Sequence, residues 1–357
     1  MIWAATMAGA ALDFPLERQV FQRNAAEWAE VRVAGLVPEE AGLVEVQAEL
    51  ASGLRGKAVA WTVVAQGDQI KDHRFDSRLK LETGGWYKLT VRFRKAAAEP
   101  AVLAEAVVER VGVGDVFITA GQSNSVNYGS PRQKSVETLS VYFDGKQFTP
   151  AADPIPNAVG EGGTPWPILG DLLSRSTRAP VCFRSATVNW LRVREWVPGA
   201  ASGNIERLVE RAKWFGHGGF RAVLWVQGEA DAGRPDFTPG EQYEREALQM
   251  IDFSRRQLGW AVDWFVAGNC YCPPQGGNDW HEGMAGVLRA QHALWEKGIA
   301  FAGPDTNDLV GSPDYRHDGI HFGPRGLLVH AERWYAAISA RYQWANPATK
   351  PVVPNTR

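Results

Sequence analysis

Apolar and polar positions alternate through the first third of the chain. Residues 28–37, 43–50, 58–65, 79–81 and 86–93 either alternate in polarity or are β-branched, with Gly or Pro between the runs. Successive side chains of a strand point to opposite faces, so this pattern predicts short strands with a buried and a wet face. Trp86-Tyr87-Lys88-Leu89-Thr90-Val91-Arg92-Phe93 keeps the alternation for a full strand length. No helical period of useful length interrupts it. Several short strands at this spacing predict a small β-sandwich over residues 1–110.

The pattern changes near Val111. Residues 116–120, 181–188, 222–226, 264–267 and 299–302 are short apolar runs of the kind buried on both faces. Between them lie stretches with helical spacing at 167–176, 205–215, 239–258 and 284–297, and a last one at 325–342. Pro239 opens the third of these, with Glu241 in its first turn, where the helix dipole favours an acid. Strands alternating with helices predict a parallel sheet covered on both faces, here five-stranded, over residues 111–345. Chemistry in such folds gathers at the carboxyl ends of the strands. Residues 346–357, rich in Pro, Asn and Thr, read as a surface tail.

Composition narrows the function classes. Apolar residues make up 45% and charged residues 22%, the balance of a folded globular protein. A formal net charge of −2 gives no footprint for nucleic acid or an anionic membrane. No apolar run reaches the roughly 20 residues of a spanning helix. The three cysteines, Cys182, Cys270 and Cys272, suit neither a disulfide framework nor a zinc site, so no metal or other cofactor is expected. Fifteen tryptophans offer flat faces for sugar rings, although core burial is the commoner use of an indole. The start, residues 1–12, is apolar and small, and Ala8-Gly9-Ala10 is similar to the end of a signal peptide, which predicts a secreted or periplasmic protein.

Three motifs carry candidate chemistry. Thr119-Ala120-Gly121-Gln122-Ser123-Asn124-Ser125 follows a buried strand directly. Gly121 permits a sharp turn, and Ser123 then sits where backbone N–H groups can face a developing negative charge. Leu224-Trp225-Val226-Gln227-Gly228-Glu229-Ala230-Asp231 ends another strand. Its Gln227 amide is a candidate oxyanion donor, and Glu229 a candidate for fixing neighbouring loops. His317-Asp318-Gly319-Ile320-His321-Phe322 supplies an imidazole to take the serine proton and a carboxylate to orient it. Chemistry alone leaves the choice between His317, adjacent to Asp318, and His321, three residues on.

Gly121-Gln122-Ser123-Asn124, Gln227-Gly228-Glu229 and Asp318-Gly319-Ile320-His321 together resemble the motifs of SGNH hydrolases. The branch most similar is that of sialate O-acetylesterases and the carbohydrate esterase family six acetylxylan esterases, over roughly residues 112–340. The resemblance implies a Ser123–His321–Asp318 triad, supported by Gln122, Asn124 and Glu229. It also implies a flavodoxin-like α/β/α domain with a five-strand parallel sheet, no metal, and removal of acetyl groups from an oligo- or polysaccharide. The sequence departs from the family in one place. Relatives carry a Gly-Gly-Thr segment after the second strand; the register here puts Asn189 and Trp190 where glycines stand. A main-chain donor survives that change, a positive-φ backbone does not, so the oxyanion hole is expected from Ser123, Asn189, Trp190 and Gln227, with the Trp190 ring a candidate pocket wall. A non-catalytic glycan-binding protein and a short-chain esterase for other esters are the rival readings.

Overall fold

The computed structural model describes residues 10–187, 191–233, 236–273 and 280–344. Asn189, Trp190, most of the signal-like start and the C-terminal tail lie outside the described residues.

Strands β1 (Ala11–Phe14), β2 (Gln19–Gln22), β3 (Trp28–Leu36), β4 (Leu43–Leu50), β5 (Val59–Gln66), β6 (Arg74–Glu82) and β7 (Gly84–Arg94) occupy the N-terminal third. They form two layers. One is the antiparallel sheet β1–β3–β6, and the other runs β5–β4–β7 into β8 (Val102–Gly121), with β2 alongside. Val31, Val33, Leu79 and Leu81 of the first layer and Val44, Val46, Leu89 and Val91 of the second share one core. Alternation predicts strands such as β6, which sets Phe75, Leu79 and Leu81 on that core and exposes most of the residues between them.

β8 changes character along its length. Its first half pairs antiparallel with β7, and exposed residues punctuate it. From Val111 every residue is buried, and the strand becomes the centre of a parallel sheet. The expected boundary at residue 110 therefore falls inside one continuous 20-residue strand. Asp115 is fully buried there, ion-paired with Arg23 at 2.8 Å and with Arg221. Burial opposes its charge, but the two guanidinium groups more than offset this and hold the carboxyl below its usual range.

The remaining elements are β9 (Ser140–Phe143), β10 (Phe148–Pro150), α1 (Trp166–Thr177), β11 (Val181–Ser185), α2 (Asn204–Lys213), β12 (Ala222–Val226), α3 (Glu229–Ala232), α4 (Gly240–Leu258), β13 (Asp263–Gly268), α5 (Trp280–Glu296), β14 (Phe301–Asp305) and α6 (Pro324–Tyr342). The sheet order is β10–β9–β11–β8–β12–β13–β14. β9, β11, β8, β12, β13 and β14 run parallel, and β10 is antiparallel to β9. With the N-terminal strands joined through β8, the sheet has eleven strands and is mixed. It is thus larger than five parallel strands, because the β9–β10 hairpin extends one edge.

Helices cover both faces. On β12, Val223 and Trp225 join the core under α2, α4 and α5, while Ala222, Leu224 and Val226 join the core under α1 and α6. This is why the parallel strands read as continuous apolar runs. Trp166, Trp196, Trp225, Trp264 and Trp334 are fully buried in these cores. Each removes about 150–250 Å² from water, worth on the order of 4–6 kcal/mol before entropic costs. Among the described residues no helix is long and apolar enough to cross a membrane.

Candidate active site

β8 and β12 lie side by side with Gly121 opposite Val226. The chain leaves β8 at Gly121, whose φ is +132°. A Cβ there would sit 2.0 Å from the Val226 carbonyl oxygen, so only glycine fits. Gln122 N–H donates to that carbonyl at 2.9 Å, and Ser123–Ser125 then form one 3₁₀ turn. Ser123 is buried, and its Oγ has no hydrogen-bond partner. Its backbone N–H donates to nothing outside that turn among the described residues.

The loop after β14 closes over this turn. Asp318 Oδ1 accepts the backbone N–H groups of Ile320 (2.9 Å) and His321 (2.7 Å), which folds the segment into a tight turn at Gly319, φ +90°. Oδ2 then lies 2.6 Å from His321 Nδ1. Partial burial pushes the Asp318 carboxyl up, but the His321 side chain and the two backbone donors outweigh it and hold it at about 2. The carboxylate fixes the imidazole and leaves Nε2 for proton transfer. His317 is committed differently, its Nε2 donating to the Tyr128 carbonyl at 2.9 Å. The geometry therefore favours His321 as the base.

Side chains of Asn124 and Tyr128 also join the turn and the segment after it to the loop. Asn124 Nδ2 donates to Glu229 Oε1 (2.5 Å) and to the Ile320 carbonyl (3.3 Å). The Tyr128 ring stacks on His321 with centroids 5.0 Å apart. Ser123 Oγ and His321 make no direct hydrogen bond here; such bonds commonly tighten only in the substrate complex.

Gln227 departs from the expectation. Its Nε2 donates to the Leu191 carbonyl (3.0 Å) and to Asp231 Oδ2 (2.6 Å), and its Oε1 accepts the Tyr243 hydroxyl (3.0 Å). Both amide hydrogens are spent, so none remains for an oxyanion. The residue instead holds the segment after residue 190, helped by Asp231, which also accepts Val193 N–H at 2.9 Å. Gln122 Oε1 accepts N–H groups of Gly228 and Ala230, and its Nε2 is buried without a partner. The unused side-chain donor beside Ser123 is thus that of Gln122. Asn189 and Trp190, the other expected donors, fall outside the described residues.

Sequence reasoning missed Arg316. It is buried and donates to the carbonyls of Thr306, Leu309 and Ile320. Its guanidinium also lies 4.6 Å from the centre of the Phe322 ring and 5.0 Å from that of Tyr271. Burial lowers its pKa, and the nearby Glu229 carboxylate opposes that. A charged residue two positions before Asp318 could have been noticed, but nothing local marks it as buried. His317, Asp318 and His321 offer three ligand atoms within 4.8 Å of one another. The hydrogen bonds of all three to protein atoms fit a proton-transfer arrangement better than a metal centre.

Residues 113–269 match the family described as carbohydrate esterase, sialic acid-specific acetylesterase. No curated protein matches the sequence. Among solved structures, a carbohydrate acetylesterase from Xanthomonas citri is similar with TM-score 0.56 and 17% identity, over 92% of this chain and 74% of that one. A protein from Arabidopsis thaliana is similar with TM-score 0.51 and 18% identity, over 64% of this chain and 98% of that one. At these identities the structures establish the fold. The family match contains Ser123, Gln227 and Glu229 and ends before the Asp318–His321 loop. Over residues 113–269 the chain is thus similar to the carbohydrate esterase, sialic acid-specific acetylesterase family, and the protein is a carboxylic ester hydrolase.

Proposed function

We propose that the protein is a carbohydrate O-acetylesterase working through Ser123, His321 and Asp318. The observation that carries this reading is the meeting of the Ser123 turn with the Asp318–His321 loop, through Asn124 on the Ile320 carbonyl and Tyr128 on the His321 ring. The strand series β8, β11, β12, β13 and β14, with helices on both faces, supports the flavodoxin-like sheet of SGNH hydrolases, and the N-terminal layers support an accessory sandwich over residues 1–110.

Ser123 Oγ attacks the acetyl carbonyl while His321 Nε2 takes its proton, and Asp318 stabilises the imidazolium. The carbonyl oxygen becomes an oxyanion, held by the Ser123 N–H and the Gln122 amide. Each such donor is worth about 10²–10³ in rate. The bond to the sugar oxygen breaks as His321 returns the proton to it. Water then attacks the acetyl-serine, His321 takes its proton, and acetate leaves as the proton returns to Ser123. The test is acetate release from acetylated xylan, O-acetylated sialic acid and acetylated pectin fragments. Release from at least one, abolished in Ser123→Ala, supports the reading. Binding of these sugars without any release favours a glycan-binding protein instead.

A further inference from the structure

A cleft of about 450 Å³ opens where the N-terminal β layers meet the α/β region. Phe14, Glu30, Arg32 and Arg78 form one wall, and Lys213 with Trp214 and the turn to Gly219 form the other. This turn enters β12 at its amino end, whereas Gln227 leaves at the carboxyl end. A five-residue strand, roughly 17 Å long, separates them, so the cleft is not the esterase site.

The lining combines aromatic faces with planar polar groups. Arg32 lies over the Phe14 ring at 4.2 Å, and Phe14 faces Trp214 at 6.4 Å between centroids. Arg32 and Arg78 share the Asp76 carboxylate, with contacts of 2.7 and 2.8 Å, which mutes their charge towards an anion. The side chains of Glu30 and Lys213, both exposed residues, make no hydrogen bond or ion pair among the described residues. One unspent acceptor and one unspent donor therefore line the same cleft as the Phe14 and Trp214 rings. A nucleotide or phosphate would require several uncompensated cations, whereas this lining sets one unpaired carboxylate, Glu30, against its unpaired Lys213, and a lipid would require an apolar lining. A pyranose ring has an apolar C–H face and hydroxyls that both donate and accept.

We infer that this cleft is a second, non-catalytic site for an uncharged oligosaccharide, one that retains the polymer while its acetyl groups are removed at Ser123. The inference rests on the carbohydrate reading of the esterase site. Retention at a second site lowers the apparent KM for a polymer without touching small esters.

The probe is xylohexaose, titrated into full-length Ser123→Ala protein by calorimetry, with oligogalacturonate as the charged comparison. Saturable binding of xylohexaose is expected, weakened about tenfold or more by Glu30→Ala/Lys213→Ala, since two hydrogen bonds are lost. In the Ser123 protein the same pair of substitutions should leave p-nitrophenyl acetate turnover within about twofold and raise KM for acetylated xylan about tenfold. Binding unchanged by the double substitution, no xylohexaose binding at all, or a preference for oligogalacturonate each overturns the inference. Absence of p-nitrophenyl acetate turnover in the unsubstituted protein would instead remove the esterase reading, whatever the cleft binds.

Discussion

The Asn124 side-chain amide donates to the Ile320 carbonyl at 3.3 Å, joining the turn of Ser123 to a loop 196 residues further along the chain. The same nitrogen is held by Glu229 at 2.5 Å, and Arg316 donates to the same Ile320 carbonyl. The proposed nucleophile and the proposed base thus share one largely buried polar clasp. Buried networks of this kind are costly when half satisfied.

Asn124→Ala should therefore lower kcat by about 10–100-fold through misplacement of His321, and leave a buried carboxylate short of a donor at a cost of about 1–3 kcal/mol. Steady-state kinetics and thermal unfolding check both parts. Normal kcat with normal stability would show that the clasp does not position the base.

Gln227→Ala tests the reassigned glutamine. Asp231 would lose its 2.6 Å donor, and the Leu191 carbonyl a 3.0 Å one. Stability should fall by about 1–3 kcal/mol, with kcat falling less than the 10²–10³ of a lost oxyanion donor. Unchanged stability together with a kcat loss of that size would return Gln227 to the oxyanion hole.

The pH dependence follows from Asp318. Held at about 2, its carboxyl stays ionised above its ordinary value of 3.8, and its contribution to the folded site is lost only as pH falls through about 2. Between pH 4 and neutrality Asp318 should then add no step of its own to the pH dependence of kcat/KM, so that an acid-side limb has a limiting slope of one on logarithmic axes. A slope of two would mean that Asp318 titrates as well. His317→Ala should leave this limb in place.

Much of this was legible in the sequence. The apolar runs of β12 and the alternation of β7 gave those elements nearly residue for residue, because burial on two faces and on one leave different signatures. The β9–β10 hairpin was not legible, since four and three residues are too few for either period. Nor was the continuity of β8, whose polarity pattern changes at Val111 while its backbone does not. Around the site, glycine and spacing identified the turns, as at Gly121 and Gly319. The direction of the Gln227 amide and the burial of Arg316 depend on partners distant in sequence, Leu191 and Asp231 for the one, Thr306 and Glu229 for the other, and no local pattern encodes them.

The central claim is that Ser123 is a nucleophile activated by His321. Labelling with an organophosphonate, followed by peptide mass spectrometry and residual activity, measures this most directly. The account predicts one adduct, on Ser123, forming in step with inactivation, absent from Ser123→Ala and slowed at least about 10³-fold in His321→Ala but not in His317→Ala. Full inactivation with the adduct on another residue, or esterase turnover retained by Ser123→Ala, would contradict it.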